Sequence, residues 1–586
     1  MAQLQPTAPL MPSFLEGTTS IGNPNEGPLS GGAQVQLTPI TGAGGEGVLD
    51  PTTQAYFGSN PATSDVVASG GGDITVTAPA AATGGPVTVL LTDANNNAVF
   101  VPAAYSYGPH ALWIDPSAFC PTGWTNSILS ANGPEPFNQN NAKVTIDGTV
   151  ATLLGISVSQ ASWISLDVPP GNPGWADLKL SLADGTSETT KNMVQYLAQD
   201  VTLPSAAYTS AVYDSARDRF YLTGADNTIG VFDPETQKLL QAMQSSTVSS
   251  AAVLGSLALA PDSSRLLVSD PMDGKLVVFD LTSGASTAIS VLLPSDGSAT
   301  IAAPMPVVAV AGNRALVLLT PWTQNEVREI DLTQMTVQVR TDFQNDTLKL
   351  YAPLTMASST DGSVALMGGG PGGNSTAYWG NSDVWKYDAA SDTFTGPVAS
   401  SATGAPVAAN ADGSVLDIGT FTLEQNLSPL VPFQTGAGAG SDLLTATGAL
   451  QFNSAGQISD THNGRELLSL PPISGYTTAF AIDPSGQKIV ACAGPLLTYY
   501  ELAVIPLAVG TVSPAVATPG TTLTIRGDGF VAGTTVSIAG KSASCSMVDD
   551  QTLQCVTPNV NAGLTFMTLS NPDGQVYSLE AAVTVQ

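Results

Sequence analysis

The middle of the chain repeats itself, and that repetition restricts its fold more than any other feature. The stretch SAVYDSARDRFYLTGADNTIGVFDPETQKLL is followed by GSLALAPDSSRLLVSDPMDGKLVVFDLTSGASTAI, which runs through the same events in the same order. An apolar strand enters an acidic turn, FYLTG or LLVSD forms a second strand, TIGVFD or KLVVFD forms a third, and another turn leads to a last strand. Asp214 and Asp262 occupy similar places 48 residues apart, a period that suits one four-stranded propeller blade per repeat.

The echo continues in PVVAVAGNRALVLLTPWTQNEVREIDLTQMTVQV, in TMASSTDGSVALMGGG with DVWKYDAASDTFTGPV, and in APVAANADGSVLDIGTF. TATGALQFNSAGQISDTHNGRELLSLPP and TTAFAIDPSGQKIVACAGPLLTYYELAVIPL complete the series. Residues 199–505 are thus expected to form a seven-bladed β-propeller, with irregular fifth and sixth blades whose boundary falls in 425–450. Asp214, Asp262, Asp361, Asp412 and Asp483 are expected to be structural turn residues, because sharp reversals need side-chain caps or positive φ.

The flanks read differently. In residues 506–586, LTIRG, TVSIAG, TLQCVTP and LTFMTLSNPDG are short β-rich runs separated by Gly and Pro, as in two small packed sheets. Gly527, Gly529 and Gly540 are assigned to tight turns or close backbone approaches, and NPDG at 571–574 to a turn. Residues 26–107 repeat parts of this order in EGPLSGGAQVQLTP, AYFGSNPATSDVV and ITVTAPAAATGGPVTVLLTDANNNAVF. A more divergent version spans 108–198 and lacks the early GDGF-like signal. Residues 1–25 carry no sustained periodicity and read as a flexible segment or an edge strand. The fold class that follows is all-β, with a central β-propeller flanked by immunoglobulin-like β-sandwich domains.

VSPAVATPGTTLTIRGDGF, TVSIAG and NPDG together resemble the IPT/TIG immunoglobulin-like family over about 80 residues. That resemblance implies a sandwich used for spacing, adhesion or intermolecular contact. VFDPETQKLL and VVFDLTSG resemble the broad YVTN or WD-like propellers of surface and periplasmic proteins over about 300 residues, without the GH and WD signature.

The chain of 586 residues has 47 acidic and 17 basic side chains, a formal charge of −30 that repels phosphate backbones and anionic membranes. Nucleic acid is excluded as an expected partner. No 18-residue apolar run marks a transmembrane segment, and MAQLQPTAPLMPSFLEG lacks the basic and apolar regions of a signal peptide. Cys545 and Cys555, ten residues apart, fit either a bridge across neighbouring strands or two buried thiols. Low charge, abundant Ser and Thr and this cysteine pair favour a secreted, periplasmic or bacterial cell-surface protein.

Catalytic and metal motifs are sparse. His110 and His462 lie in separate domains, and His462, with Asp460 and Glu466 nearby, reads as a turn or surface residue. GGGPGGNS at 368–375 lacks the ending of a phosphate loop. DPMDG at 270–274 and DANNN at 93–97 lack full calcium-loop spacing, so they read as Asx turns. No cofactor motif is found. Trp113, Trp124, Trp163, Trp175, Trp322, Trp379 and Trp385 include candidates for sugar stacking, with core packing as the alternative for each. The expected function is a noncatalytic binding scaffold with a protein or glycan partner and self-association through the sandwiches. The competing expectation is a carbohydrate-active enzyme, a glycoside hydrolase or lyase, with an acidic site in the propeller channel.

Overall fold

A computed structural model describes residues 26–586 apart from 38–40, 43–44, 47–53, 65–73, 82–84, 93–97, 133–139, 159–161, 184–186, 225, 250–251, 294–304, 320–325, 344–350, 371–381, 401–406, 420–421, 429–441 and 473–476. The expectations for 1–25, DANNN, most of GGGPGGNS, Trp322 and Trp379 lie outside the described residues, as does much of the boundary between the fifth and sixth blades. The described elements are strands, with no helix among them. Two compact units form: Met1–Ala198 with Leu468–Pro471 and Val512–Gln586, and Gln199–Leu467 with Pro472–Thr511.

The second unit is a β-propeller. Seven successive antiparallel sheets are formed by the described residues, beginning with Tyr208–Asp214, Arg219–Gly224 and Thr228–Asp233. The second, third, fourth and sixth sheets have four strands each, and the fifth has three. In the seventh, Ala479–Ile482, Lys488–Ala493 and Leu496–Glu501 are joined at the outside by Gln199–Pro204. Val201 pairs with Tyr499 and Leu203 with Leu497 in this register. The strand that enters the propeller thus completes the last blade and closes the ring.

The middle strands are nearly continuous apolar runs because a blade is covered on both faces. RLLVSD at 265–270 shows how one strand serves two cores: Leu266 and Val268 pack with Tyr221 and Ile229 of the first blade, while Leu267 packs with Val307 and Val317 of the third. Phe220 and Phe232 of the first blade meet Val490, Cys492 and Tyr499 of the seventh, so a hydrophobic core also seals the closure. Burial there pushes the Cys492 thiol up to about 12.

The regions flanking the propeller form paired sheets, and two of the pairs share one strand order throughout. The last pair sets Ala508–Ser513, Thr522–Asp528, Thr552–Val556 and Ser544–Asp549 against Val516–Ala517, Val576–Val585, Gly563–Ser570, Thr535–Ile538 and Lys541–Ser542. In the 108–198 region, His110–Asp115, Trp124–Asn132, Ser162–Val168 and Thr152–Val158 oppose Ala118–Phe119, Ser187–Tyr196, Gly174–Leu182, Ala142–Ile146 and Thr149–Val150 in the same order. The 26–107 region repeats the second sheet of the pair, from Glu26–Gly27 through Ala98–Tyr107 to Asn60–Pro61. In all three, the two-residue first strand of that sheet runs parallel to its last long strand. This signature survives where the GDGF-like sequence does not.

Candidate functional site

The propeller's most repetitive chemistry lies in the turns between first and second strands. In blades four to seven the turn opens on Ser359, Asn410, Thr445 or Asp483, whose side-chain oxygen accepts the backbone N–H five residues on. The donors are Val364 at 3.0 Å, Val415 at 3.0 Å, Leu450 at 3.2 Å and Lys488 at 2.8 Å. Asp262, Asp361 and Asp412 stand two places further into their turns. Each accepts the N–H of the serine two residues later, at 3.0, 2.9 and 3.1 Å. The five turn aspartates therefore fall into two classes, and Asp262 is not the counterpart of Asp214. Asp214 is fully buried and accepts from the Ala216 N–H at 3.0 Å and from the Arg217 guanidinium at 2.8 Å.

These turns also fasten each blade to its predecessor. Gly362, Gly413, Gly448 and Gly486 have φ of 71°, 68°, 74° and 75°. A Cβ on Gly413 would lie 2.7 Å from Val364, and one on Gly448 would lie 2.6 Å from Val415. Only glycine meets both the left-handed backbone and the close approach. Backbone bonds run alongside: Ala311 N–H to Gly362 O at 2.9 Å, Asp361 to Ala411 at 3.0 Å, Ala411 to Ala446 at 3.2 Å and Ala446 to Pro484 at 2.7 Å. Blades three to seven are pinned into one arc of turns. The recurring DGSV of 361–364 and 412–415 carries this signal in the sequence, in its glycine as much as in its aspartate.

A second missed series ends the third strands. Asp233, Asp280, Asp331, Asp388 and Asp460 each accept the N–H two residues on, for example Thr282 to Asp280 at 2.9 Å and Ala390 to Asp388 at 3.1 Å. The phrases VFD, EID, KYD and ISD announce it. Much of the acidic excess in this unit is therefore spent on holding turns.

Among the described residues, an open depression of about 270 Å³ lies at the turns of blades two to four, lined by Pro261, Asp262, Asn313, Arg314, Leu332 and Asp361. Hydrogen bonds from Ser264 hold the Asp262 carboxyl below the usual range. The Arg314 guanidinium is fixed by Asp392 at 2.8 Å and by the carbonyls of Ala311 and Ala389, each at 3.2 Å. Behind it, Arg340 bonds Glu329, Asp342 and Asp392 at 2.5, 2.7 and 2.6 Å and lies 5.3 Å from the Tyr387 ring centre. Burial alone would raise Asp392, but bonds from Tyr387, Arg340 and Arg314 outweigh it and hold the carboxyl at about 2. The depression thus combines a locked cation with two carboxylates on a rigid rim.

The remaining candidates are dispersed. His110 faces Glu188 at 3.2 Å inside the second sandwich, where Glu188 also accepts the Ala111 N–H. His462 is in a turn but not at the surface: its side chain is 13% exposed, and burial pushes it down to about 4. The turn of the expected turn-or-surface role holds, and the burial departs from its surface alternative. Asp270 of DPMDG is buried and accepts the Asp273 N–H at 3.2 Å, while Asp273 pairs with Lys275. No group of three or more His, Cys, Asp or Glu among the described residues is arranged to hold a metal. Asp417 is fully buried against Gln451, and burial pushes it up to about 7.

In the C-terminal sandwich, Cys545 and Cys555 are directly opposed and form a disulfide. Gly529 and Gly540 have positive φ of 72° and 75°. Gly527 is a correction: it lies inside the strand Thr522–Asp528, where its N–H pairs with the Gln551 carbonyl at 3.1 Å, so it marks no turn. Asn571 anchors the NPDG turn by donating to Gly529 O at 2.8 Å. Of the described tryptophans, Trp385 packs on Phe343 and Trp124 on the core of the second sandwich, whereas Trp113 and Trp163 are exposed.

Residues 507–585 match the IPT/TIG domain. No curated protein matches the chain significantly. Among solved structures, it is similar to hydrazine synthase of Kuenenia stuttgartiensis at 14% identity, covering 52% of this chain and 98% of that one with a TM-score of 0.37. An auxiliary nutrient binding protein from Bacteroides thetaiotaomicron is 11% identical, with coverage of 67% and 98% and a TM-score of 0.36. The Cps50 (Swd1) β-propeller domain of Myceliophteria thermophila is 14% identical, with coverage of 51% and 99% and a TM-score of 0.39. No helix among the described residues is long and apolar enough to cross a membrane.

Proposed function

We propose that this chain is an exported binding scaffold whose propeller presents the turn-lined depression to a protein or glycan partner, with the sandwich domains serving as spacers or assembly contacts. The pinned rim carries the reading. Asp262 and Asp361 are tied to their own turns and Arg314 to Asp392, so a partner meets fixed charges and loses little to loop ordering on binding. The Cys545–Cys555 bridge supports export, because disulfides persist in oxidising compartments.

The test is to probe the intact chain against protein and glycan arrays, then to repeat the strongest interaction with Asp262→Asn and Asp361→Asn combined. Asparagine preserves an oxygen for each turn while removing both charges. Binding is expected to weaken about tenfold, the scale of one to two lost charge-assisted contacts. Unchanged affinity in the double variant, or no ligand on either array, sinks the proposal.

A further inference from the structure

The second sandwich carries a feature that the propeller reading does not use. Trp113 and Trp163 are 45% and 50% exposed, although their strands build a well-packed core. Their neighbours Ile114, Leu129, Ile164 and Leu166 point inward and are buried. Alternation along the strands places the two indoles on the outer face. Register sets them either side of Ser130, which pairs with Trp113 on one strand and Trp163 on another. Ser130 is only 2% exposed, so the indoles stand over a nearly closed floor.

The surroundings of this pair are small and polar. Trp163 is opposite Ser157, and the next outward pair is Gly155 with Ser165. A Cβ on Gly155 would meet nothing within 4 Å, so the surface beside Trp163 is open. The indole centres are 6.2 Å apart with planes at 70°. A ring stacked on one indole therefore presents its edge to the other.

Charge selects among occupants. On the four strands of this sheet, the described outward charges are Asp115 and Asp167; the one basic side chain, His110, is turned inward to Glu188. A phosphate or acidic polymer would find no counter-charge here. A pyranose offers C–H faces to the indoles and hydroxyls to the serine edges and carboxylates, matching both components of the surface. Leu112 and Leu154 extend the apolar area, but serine and glycine interrupt it, unlike the continuous core of a stable protein interface.

We infer that the outer face of the second sandwich, centred on Trp113 and Trp163, is a binding platform for a neutral saccharide. It is independent of the propeller depression and requires no change in the fold.

The experiment is affinity electrophoresis of the full chain through gels containing neutral glucans, mannans, xylans or chitin oligosaccharides, with an anionic polysaccharide as control. Retardation by at least one neutral probe is expected. Trp113→Ala and Trp163→Ala should each weaken it about tenfold, the scale of one lost aromatic contact. Gly155→Arg should do the same by occupying the open surface while leaving both indoles in place. The Asp262→Asn and Asp361→Asn variant should bind as the parent does, which separates this platform from the propeller reading. Melting curves identify any alanine variant that fails to fold, in which case Gly155→Arg decides the outcome. Absence of retardation in all neutral gels, unchanged retardation of Gly155→Arg, or preference for the anionic polymer overturns the inference. So does capture of a protein partner through this face without any saccharide binding.

Discussion

Arg340 offers the sharpest test of how the propeller holds its charges. Its side chain is 8% exposed and bonds Glu329, whose side chain is 9% exposed, together with the more open Asp342 and Asp392, at 45% and 55%. Truncation to alanine costs little at the two open carboxylates, since Asp342 returns to water and Asp392 keeps Arg314 and Tyr387. Glu329 is different. It keeps the Gln338 amide at 3.1 Å and a distant Arg314 at 3.9 Å, and otherwise remains a buried charge. Breaking a buried pair from one side costs about 3–5 kcal/mol. For a unit of roughly 300 residues, an unfolding entropy of about 0.6 kcal/mol/K converts this to a melting shift of about 5–8 °C. Differential scanning calorimetry of the full chain is the suitable assay, because a multidomain protein need not unfold in two states and the propeller transition must be followed by itself. Arg340→Ala with Glu329→Gln should recover at least half of the loss. A shift below about 2 °C in the single variant, or additive losses in the double, would refute the assignment of the cost to a stranded Glu329.

Other perturbations address separate parts of the molecule. Gly413→Ala places a Cβ 2.7 Å from Val364 at a φ of 68°; a loss above about 1 kcal/mol is expected in the propeller transition, whereas Gly155→Ala should change melting little. Reduction of the Cys545–Cys555 bridge, or Cys→Ser at both positions, should lower the C-terminal sandwich by about 2–3 kcal/mol for a ten-residue closure, read by urea unfolding of that domain's signal. Replacing Gln199–Pro204 with a Gly/Ser linker exposes the edge of Leu496–Glu501; faster amide exchange in the seventh blade and greater aggregation are expected. The buried titrating groups act in opposite senses. Asp417, raised to about 7, keeps a proton in the fold that the unfolded chain loses near 4, so its contribution makes stability fall as pH rises between these values. His462, lowered to about 4, refuses a proton that the unfolded chain accepts below about 6.5, so its contribution makes stability fall as pH drops from about 6.5 to 4. Melting profiles of Asp417→Asn should therefore show the His462 slope more steeply; an unaltered profile contradicts the sign.

The blades were legible because each must present the same alternation of strand and turn to its neighbours, and that constraint writes a period into the sequence. The ring closure was not. Gln199–Pro204 reads as QDVTLP, an unremarkable short segment whose role as the outer strand of the last blade depends on a partner almost 300 residues away. Local periodicity carries no record of such a pairing. Gly527 departs from the expected turn for a related reason. Gly527 stands beside Gly529 in a phrase that looks like a turn throughout, yet the strand continues through the first and bends only at the second.

The acidic excess of the propeller is used largely in its turns. Forty-seven acids argue against nucleic acid as a partner and leave room for an acidic channel. The described propeller instead commits Asp233, Asp280, Asp331 and Asp388 to third-strand turns, and Asp262, Asp361 and Asp412 to first-strand turns. In Asp262, Asp280 and Asp388 hydrogen bonds from nearby serines hold the carboxyl below its usual range, which suits these three poorly to proton transfer. The same bonds make them well suited to presenting a fixed charge. What the turns cost in chemical versatility they return as rigidity, and rigidity is the property a recognition surface needs.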